Sequence, residues 1–305
     1  MASDGLNTAL GPIHLRSPLV AASGTVGSVW EWSEVADVEV YGAAVAKSVA
    51  PVAWPGRPAP RLAPTGPGML NGIGIQNPGI KTWVETMRPL LGQLAVPVWG
   101  SAVGANPEEF GLVAKGLVTA GIEVVEINLS CPNLEDGRMF ALDADRSREV
   151  VEAVVASGDV IVGAKLSPNA EQIVAVAEAC LAGGADFLTL TNTALGFGIN
   201  VEDRRPLLSG GVGGYSGPGL KPLSLRCVYE VAAAIPGAPI IGCGGVTTGR
   251  DVIEYLLAGA SAVGLGTVHF AEPRAGARIL SELKSEMRRL GVRDVAELIG
   301  AVKPW

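Results

Sequence analysis

Eight short apolar runs punctuate the chain, and each gives way to a polar or glycine-bearing turn. They lie at 19–22 (LVAA), 43–47 (AAVAK), 97–101 (PVWGS), 124–128 (VVEIN), 161–166 (IVGAKL), 187–191 (FLTLT), 239–243 (PIIGC) and 262–266 (AVGLG). The runs are nearly continuous rather than alternating, which is the pattern of parallel strands covered on both faces. Helical patterns fall between several of them. The segment 107–120 opens on Pro107 with Glu108 and Glu109 in its first turn, as a helix start prefers. The segment 170–182 stops at Gly183 and Gly184, a natural C-terminal signal. Similar patterns span 222–234, 249–258 and 274–290, the last with Lys284, Arg288 and Arg289 toward its end.

Eight strands with intervening helices predict an α/β fold, a (β/α)8 TIM barrel, with residues 1–305 as a single domain. A doubly wound sheet is the competing arrangement. Its glycine fingerprint should follow the first strand, whereas here the glycine turns GCGG at 242–245 and GLG at 264–266 come late. Late turns, after the seventh and eighth strands, are where a barrel would hold a phosphate. The stretch 49–80 carries no helical pattern and is too long for an ordinary connection. Its apolar anchors Trp54, Leu62, Met69, Leu70, Ile73 and Ile75 predict an ordered loop folded over one end of the barrel.

Composition narrows the picture. Hydrophobic residues make up 48% of the 305 and charged residues 17%, so a large core can form. The net charge of −7, with no basic cluster, argues against a nucleic-acid surface. No run of apolar residues is long enough to span a bilayer, and the start MASDGLNTALG has neither a basic n-region nor an apolar h-region. A soluble cytoplasmic protein is the expectation. Cys131, Cys180, Cys227 and Cys243 form no CxxC pair, and His14 and His269 are the only histidines, so no metal site is expected. The cysteines are expected to be reduced.

The candidate chemistry gathers at the C-terminal ends of the strands, where barrel enzymes build their sites. Lys47 closes the second strand, Ser101 the third, Asn128 the fourth and Lys165 the fifth, and Thr191, Asn192 and Thr193 close the sixth. Two lysines ending inner strands need an anionic partner. Glu126 is the nearest carboxylate and shares a strand face with Asn128, and a bound anionic ligand is the other solution. Gly244 and Gly245, followed by a helix starting near Thr248, and Gly266 with Thr267 offer backbone N–H groups for a phosphate. The turn YSGPGLKP at 215–222 could close on the same ligand. Neither histidine is counted among these motifs, and no Ser-His-Asp or Cys-His pair can be assembled from them. Cys131 remains as the acid–base candidate, placed by Pro132 on a rigid loop. Read singly, each of these polar residues is equally a satisfied buried group or a strand cap.

Taken together the motifs resemble those of the family 1 dihydroorotate dehydrogenases. The matching stretches are ASG at 22–24, Lys47, GMLNGIGIQNPG at 68–79, INLSCPN at 127–133, KLSPN at 165–169 and TNT at 191–193. They continue with GGYSGPGLKP at 213–222, IIGCGGV at 240–246 and GASAVGLGT at 259–267. They run almost the whole chain in the family's order. The resemblance implies one FMN per chain and oxidation of dihydroorotate to orotate in pyrimidine (UMP) biosynthesis. Cys131 matches the base that takes the C5 proton while hydride leaves C6 for the flavin. Lys47, Asn71, Gly72, Ile73, Gly74, Ile75, Asn128, Asn192 and Thr193 match substrate-binding positions. Ser23, Lys47, Ser48, Ser101, Asn128, Lys165, Thr191, Gly217, Gly244, Gly245, Gly266 and Thr267 match positions around the flavin.

Within the family, Cys131 in place of serine and the short start at Met1 argue against the membrane-associated branch. GMLNGIGIQNPG, NLSCPN and IIGCGG look closest to the NAD-linked type 1B catalytic subunit. That type works with a second subunit carrying FAD and a 2Fe-2S cluster, giving a homodimer core within a heterotetramer. One departure is Ser101, where that subclass usually has asparagine near the flavin. Four readings stay open beside it: a fumarate-linked homodimer, a dihydropyrimidine dehydrogenase-like flavoenzyme, a phosphate-binding isomerase or aldolase, and a non-catalytic assembly role. Against the second, Asn133 stands where that group usually has histidine.

Overall fold

The computed structural model describes residues 5–130 and 139–304. Eight parallel strands close into a barrel: Leu19–Ala21, Ala43–Val45, Val98–Ala102, Val124–Asn128, Ile161–Lys165, Phe187–Leu190, Ile240–Cys243 and Ala262–Leu265. Each pairs with its successor in the chain, and the eighth closes on the first with Val263 opposite Leu19. The eight apolar runs are these eight strands. No edge remains, which excludes the doubly wound sheet.

The pleat sorts each strand into an inward and an outward set. Val20, Ala43, Val45, Trp99, Val124, Phe187, Ile241 and Ala262 pack together inside the barrel. Leu10 and Leu15 join them from an N-terminal hairpin, Thr8–Leu10 against Ile13–Leu15, that plugs the N-terminal end. Phe187 fits only because its neighbour Gly163 has no side chain, since a Cβ there would stand 2.1 Å from the ring. Outward residues such as Leu19, Val125, Ala164 and Leu188 pack in the main core with the surrounding helices.

Helices Pro107–Thr119, Ile173–Ala182, Lys221–Ala234, Gly249–Leu257 and Ala275–Leu290 appear where the pattern placed them, within three residues at each end. The first is capped by Asn106, whose side chain accepts from the Glu109 N–H. Two further helices, Ile80–Leu91 and Ala144–Val155, were not anticipated. Pro89 interrupts the first, and the second opens on the charged run ADRSRE, so its apolar stripe of Val150, Val151 and Val154 starts late.

The stretch 49–80 is ordered, but it is not simply a loop. It contains the hairpin Leu62–Thr65 and Gly68–Asn71, and its last residue, Ile80, already begins a helix. Gly213–Ser216 pairs with the hairpin and Ala194–Gly196 completes a four-stranded antiparallel sheet. The excursions after the second and sixth barrel strands are thereby joined over the C-terminal mouth.

Candidate active site

Three groups of side chains converge on that mouth. The first is a hydrogen-bonded chain across four strand ends. The Thr193 N–H donates to Asn192 Oδ1 at 2.8 Å, and a backbone amide can only donate. Asn192 therefore turns Nδ2 toward Asn128 Oδ1 at 3.1 Å, which turns Asn128 Nδ2 toward Ser48 Oγ at 3.3 Å. Ser48 Oγ lies 2.9 Å from Ser101 Oγ, and its proton is free to go there. One peptide N–H thus fixes the orientation of two carboxamides, while either serine hydroxyl can donate in the last link. Ser101, the family departure, does not stand alone: it ends this chain. Asn71 joins from the covering sheet, donating to the Gly214 carbonyl at 3.1 Å, while a Cβ on Gly214 would stand 2.2 Å from Thr193 Oγ1.

The second group lies just inside the barrel. Thr189 Oγ1 donates to Glu126 Oε2 at 2.8 Å, and Glu126 Oε1 stands 3.5 Å from Lys165 Nζ. Glu126 is 2% exposed and Lys165 6%, so the pair is essentially out of water. Burial is the largest single influence on the Lys165 pKa and pushes it down, but the opposing influences, led by the Glu126 charge, together turn the net direction up, which keeps the ammonium. The carboxylate named as nearest in the sequence is therefore the partner of Lys165, which does not need a bound anion to balance it. Cys243 faces the same pair, and burial raises its pKa, so it is a neutral thiol.

The third group is a cradle of glycine turns. Gly217 and Gly245 both have positive φ, and they pack so closely that a Cβ on Gly245 would stand 2.8 Å from the Gly217 oxygen. Gly244 is pressed against Ser224, which shares a 2.7 Å hydrogen bond with Thr191, and Tyr255 donates to the Gly244 carbonyl at 2.6 Å. Among the described residues, the N–H groups of Gly245, Val246, Gly266 and Thr267 meet no acceptor. Gly266 lacks a positive φ, and a Cβ there would meet nothing nearer than Ala22 Cβ at 3.8 Å. Uncommitted N–H groups beside glycines that leave open space fit a phosphate. The helix start near Thr248 does not contribute as expected. Asp251 Oδ2 already accepts from the Thr247 and Thr248 N–H groups, both at 2.8 Å, and Asp251 Oδ1 holds Lys221 Nζ at 2.6 Å.

The remaining sequence candidates fall into place around these groups. Ser23 donates to the Ala46 carbonyl at 2.8 Å, tying together the ends of the first two strands, and Lys47 follows on the second. Gly72, Ile73, Gly74 and Ile75 continue from Asn71. Gly72 N donates to the Arg61 carbonyl at 2.7 Å and the Ile73 carbonyl accepts from Arg57 N at 3.0 Å. Cys131 lies outside the described residues, three positions beyond Asn128 at the end of the fourth strand. The other three cysteines are free and buried, as expected. Among the described residues no cluster of His, Cys, Asp and Glu could hold a metal, and no helix is long and apolar enough to cross a membrane.

Sequence reasoning missed several supports. Asn77 Oδ1 accepts from Ala50 N at 3.1 Å and Gly79 N at 2.9 Å, while its Nδ2 donates to Ile75 O at 2.8 Å, pinning the end of the 71–76 segment. The Asn-Pro-Gly sequence was a signal for such a turn. Setting His269 aside was also mistaken, because it follows Thr267 by two residues. Thr25 donates to the Ala22 carbonyl at 2.9 Å, so it accepts from His269 Nδ1 at 3.1 Å. The other ring nitrogen then accepts from Tyr41 Oη at 2.9 Å. Burial holds the His269 pKa down at about 4, and the neutral ring locks the first-strand loop to the eighth.

Comparison with known proteins decides the family. The model described as "Dihydroorotate dehydrogenase" matches residues 5–287. The chain belongs to this family. Among curated relatives of the dihydroorotate dehydrogenase family, the "Dihydroorotate dehydrogenase B (NAD(+)), catalytic subunit" of Alkaliphilus metalliredigens is 42% identical over 293 residues, covering 95% of this chain and 96% of the relative. The protein of that name from Geobacter sp. (strain M21) is 40% identical, covering 99% and 100%. That from Listeria monocytogenes serotype 4a is 39% identical, covering 94% of each. A solved structure, dihydroorotate dehydrogenase of Eimeria tenella in complex with ferulenol, superposes with a TM-score of 0.84 over 99% of this chain and 90% of that one. At 20% identity it speaks for the dihydroorotate dehydrogenase fold alone.

Proposed function

We propose that this chain is the catalytic subunit of an NAD-linked dihydroorotate dehydrogenase, oxidising dihydroorotate to orotate in pyrimidine biosynthesis with one bound FMN. The observation that carries the reading is the pairing, at one barrel mouth, of a polarity-fixed carboxamide chain with a cradle of uncommitted backbone N–H groups. Dihydroorotate has an imide edge that alternates N–H and C=O, and carboxamides match such an edge group for group. The side chains of Asn71, Asn128 and Asn192, with Thr193, are the groups that hold it. Gly245, Gly266 and Thr267 hold the cofactor phosphate, with Ser23, Lys47, Ser48, Ser101, Lys165, Thr191, Gly217 and Gly244 around the rest of the cofactor.

FMN, when bound, supplies the two-electron acceptor for the hydride that leaves C6. The protein's own work is to place the substrate and to remove the C5 proton. Cys131 is the base, a role suited to a thiol whose pKa its surroundings can lower. Lys47 compensates the negative charge of substrate and cofactor. The covering sheet, which brings Asn71, excludes water from the reacting carbons. The relatives are named as catalytic subunits, and that supports a second subunit, bearing FAD and a 2Fe-2S cluster, as the route to NAD. A homodimer at the centre of that assembly, working in the cytoplasm, completes the proposal.

The test is anaerobic mixing of the flavin-loaded protein with dihydroorotate. Bleaching of the flavin band is the expected result, followed by reoxidation with NAD only when the partner subunit is added. Reoxidation by fumarate with the chain alone would assign it to the fumarate-linked type instead. A purified protein that neither carries nor takes up flavin would end the reading.

A further inference from the structure

The Glu126–Lys165 pair has the wrong spacing for a simple internal salt bridge. A charge-assisted N–H···O contact closes to about 2.7–2.9 Å when nothing opposes it. Here Thr189 anchors Glu126 Oε2 at 2.8 Å, while Oε1 remains 3.5 Å from Lys165 Nζ and has no hydrogen bond. Lys165 is the last residue of the fifth strand and pairs in register with Asn128 on one side and Thr189 on the other. The long contact to Glu126 is the one its ammonium makes among the described residues, and Lys165 is only 6% exposed at the C-terminal end of its strand. An ion pair serving stability alone would have closed or would have been replaced by apolar packing.

We propose that Glu126 is a positioning residue that holds Lys165 as a charged, uncommitted donor toward the electron-rich edge of the bound flavin. The inference rests on the flavin reading above. The groups facing Lys165 are few. Glu126 comes from the fourth strand, Thr189 from the sixth and the Cys243 thiol from the seventh, and burial keeps that thiol neutral. Among these described groups Glu126 is therefore the one anion, and its charge is the chief influence opposing the desolvation of the ammonium. Replace it with an uncharged isostere and Lys165 keeps its place but gains a pKa within the working range, because desolvation then acts unopposed.

Sulfite reads this charge without turnover. Its sulfur lone pair forms a bond to flavin N5, and the displaced electron pair leaves negative charge on the ring, so affinity follows the positive charge nearby. With the FMN-loaded protein, sulfite Kd is measured from pH 6 to 9.5 and corrected for sulfite's own ionisation. The wild type gives a flat profile. Glu126→Gln, which preserves the Thr189 hydrogen bond, gives a step in which affinity falls by about tenfold or more as pH rises and Lys165 loses its proton. Glu126→Asp, which keeps a carboxylate, stays flat. Thr189→Val removes the anchor, so the carboxylate closes on the ammonium and takes up its protons; sulfite affinity then falls at every pH without a step, and this variant serves where the Gln variant does not fold. A flat profile in the Gln variant, or a Val variant that binds sulfite as the wild type does, overturns the proposal, as does a step in Asp equal to that in Gln. A protein that takes up no FMN sinks the underlying reading, whereas a flavin-loaded Gln variant with a flat profile sinks only this inference.

Discussion

Gly266 separates what the fold needs from what a ligand needs. Most glycines near the mouth are forced by the protein itself: Gly245 has φ +69, and a Cβ there would collide with Gly217 and with the Lys221 backbone at 2.8 Å. Gly266 has neither constraint, since its φ is ordinary and its nearest neighbours would be 3.8 Å from Ala22 and 4.0 Å from Thr25. In Gly266→Ala the fold is expected to be unchanged or to gain about 0.4–1 kcal/mol through the unfolded chain. The added methyl instead occupies the space beside the Gly266 and Thr267 N–H groups. Losing one hydrogen bond to a charged phosphate is worth about 1.5–3 kcal/mol, which weakens FMN binding roughly 10- to 100-fold. Gly245→Ala is the contrast, expected to cost roughly 2–4 kcal/mol of stability on its own from the left-handed backbone and the collision. Flavin fluorescence titration and thermal unfolding of the flavin-free proteins measure the two quantities separately. If Gly266→Ala binds FMN like wild type, or if its apo-protein melts several degrees lower, the cradle has been placed wrongly.

Three further outcomes are expected. Cys131→Ala is expected to keep its flavin but lose roughly 10²- to 10⁴-fold in the rate of bleaching by dihydroorotate, with Cys131→Ser partly recovering at high pH; stopped-flow reduction checks it. His269 is neutral and buried with a pKa of about 4, against about 6.5 when unfolded, so the unfolded chain binds the extra proton between those values and stability falls as pH drops through that window. The loss is about 3 kcal/mol by pH 4, and denaturant unfolding of His269→Gln from pH 4 to 7 should show that slope removed. Gly163→Ala drives a methyl into the Phe187 ring, which Trp99 backs at a centroid distance of 5.4 Å; a cost of about 1–3 kcal/mol is expected, with Phe187→Leu in the same chain recovering part of it in thermal unfolding.

The barrel was legible because its strands are buried on both faces, so each wrote itself as an apolar run ending in the polar residue that reaches the mouth. Lys165 and Asn128 could be placed that way without any structure. The covering sheet could not, because Leu62–Thr65 and Gly68–Asn71 are short and glycine- and proline-bearing, and the second of them pairs with Gly213–Ser216 some 140 residues away. The partner of Lys165 was guessable from the strand face of Glu126, yet the 3.5 Å gap that gives the pair its meaning depends on Thr189, two strands along and more than 60 residues later. His269 was overlooked because its role lies in two hydroxyls, Thr25 and Tyr41, more than 200 positions distant in the chain. The capping by Asp251 shows the opposite error, in which a helix start that looked available had satisfied itself.

The ladder between Leu70 and Tyr215 has a mechanical consequence. Two excursions that would otherwise swing separately are stitched into one panel, so among the described residues neither can lift without the other. Whatever bends in that panel must do so at its roots, near Asn192 and Asn77, whose side chains are hydrogen-bonded to the backbone there.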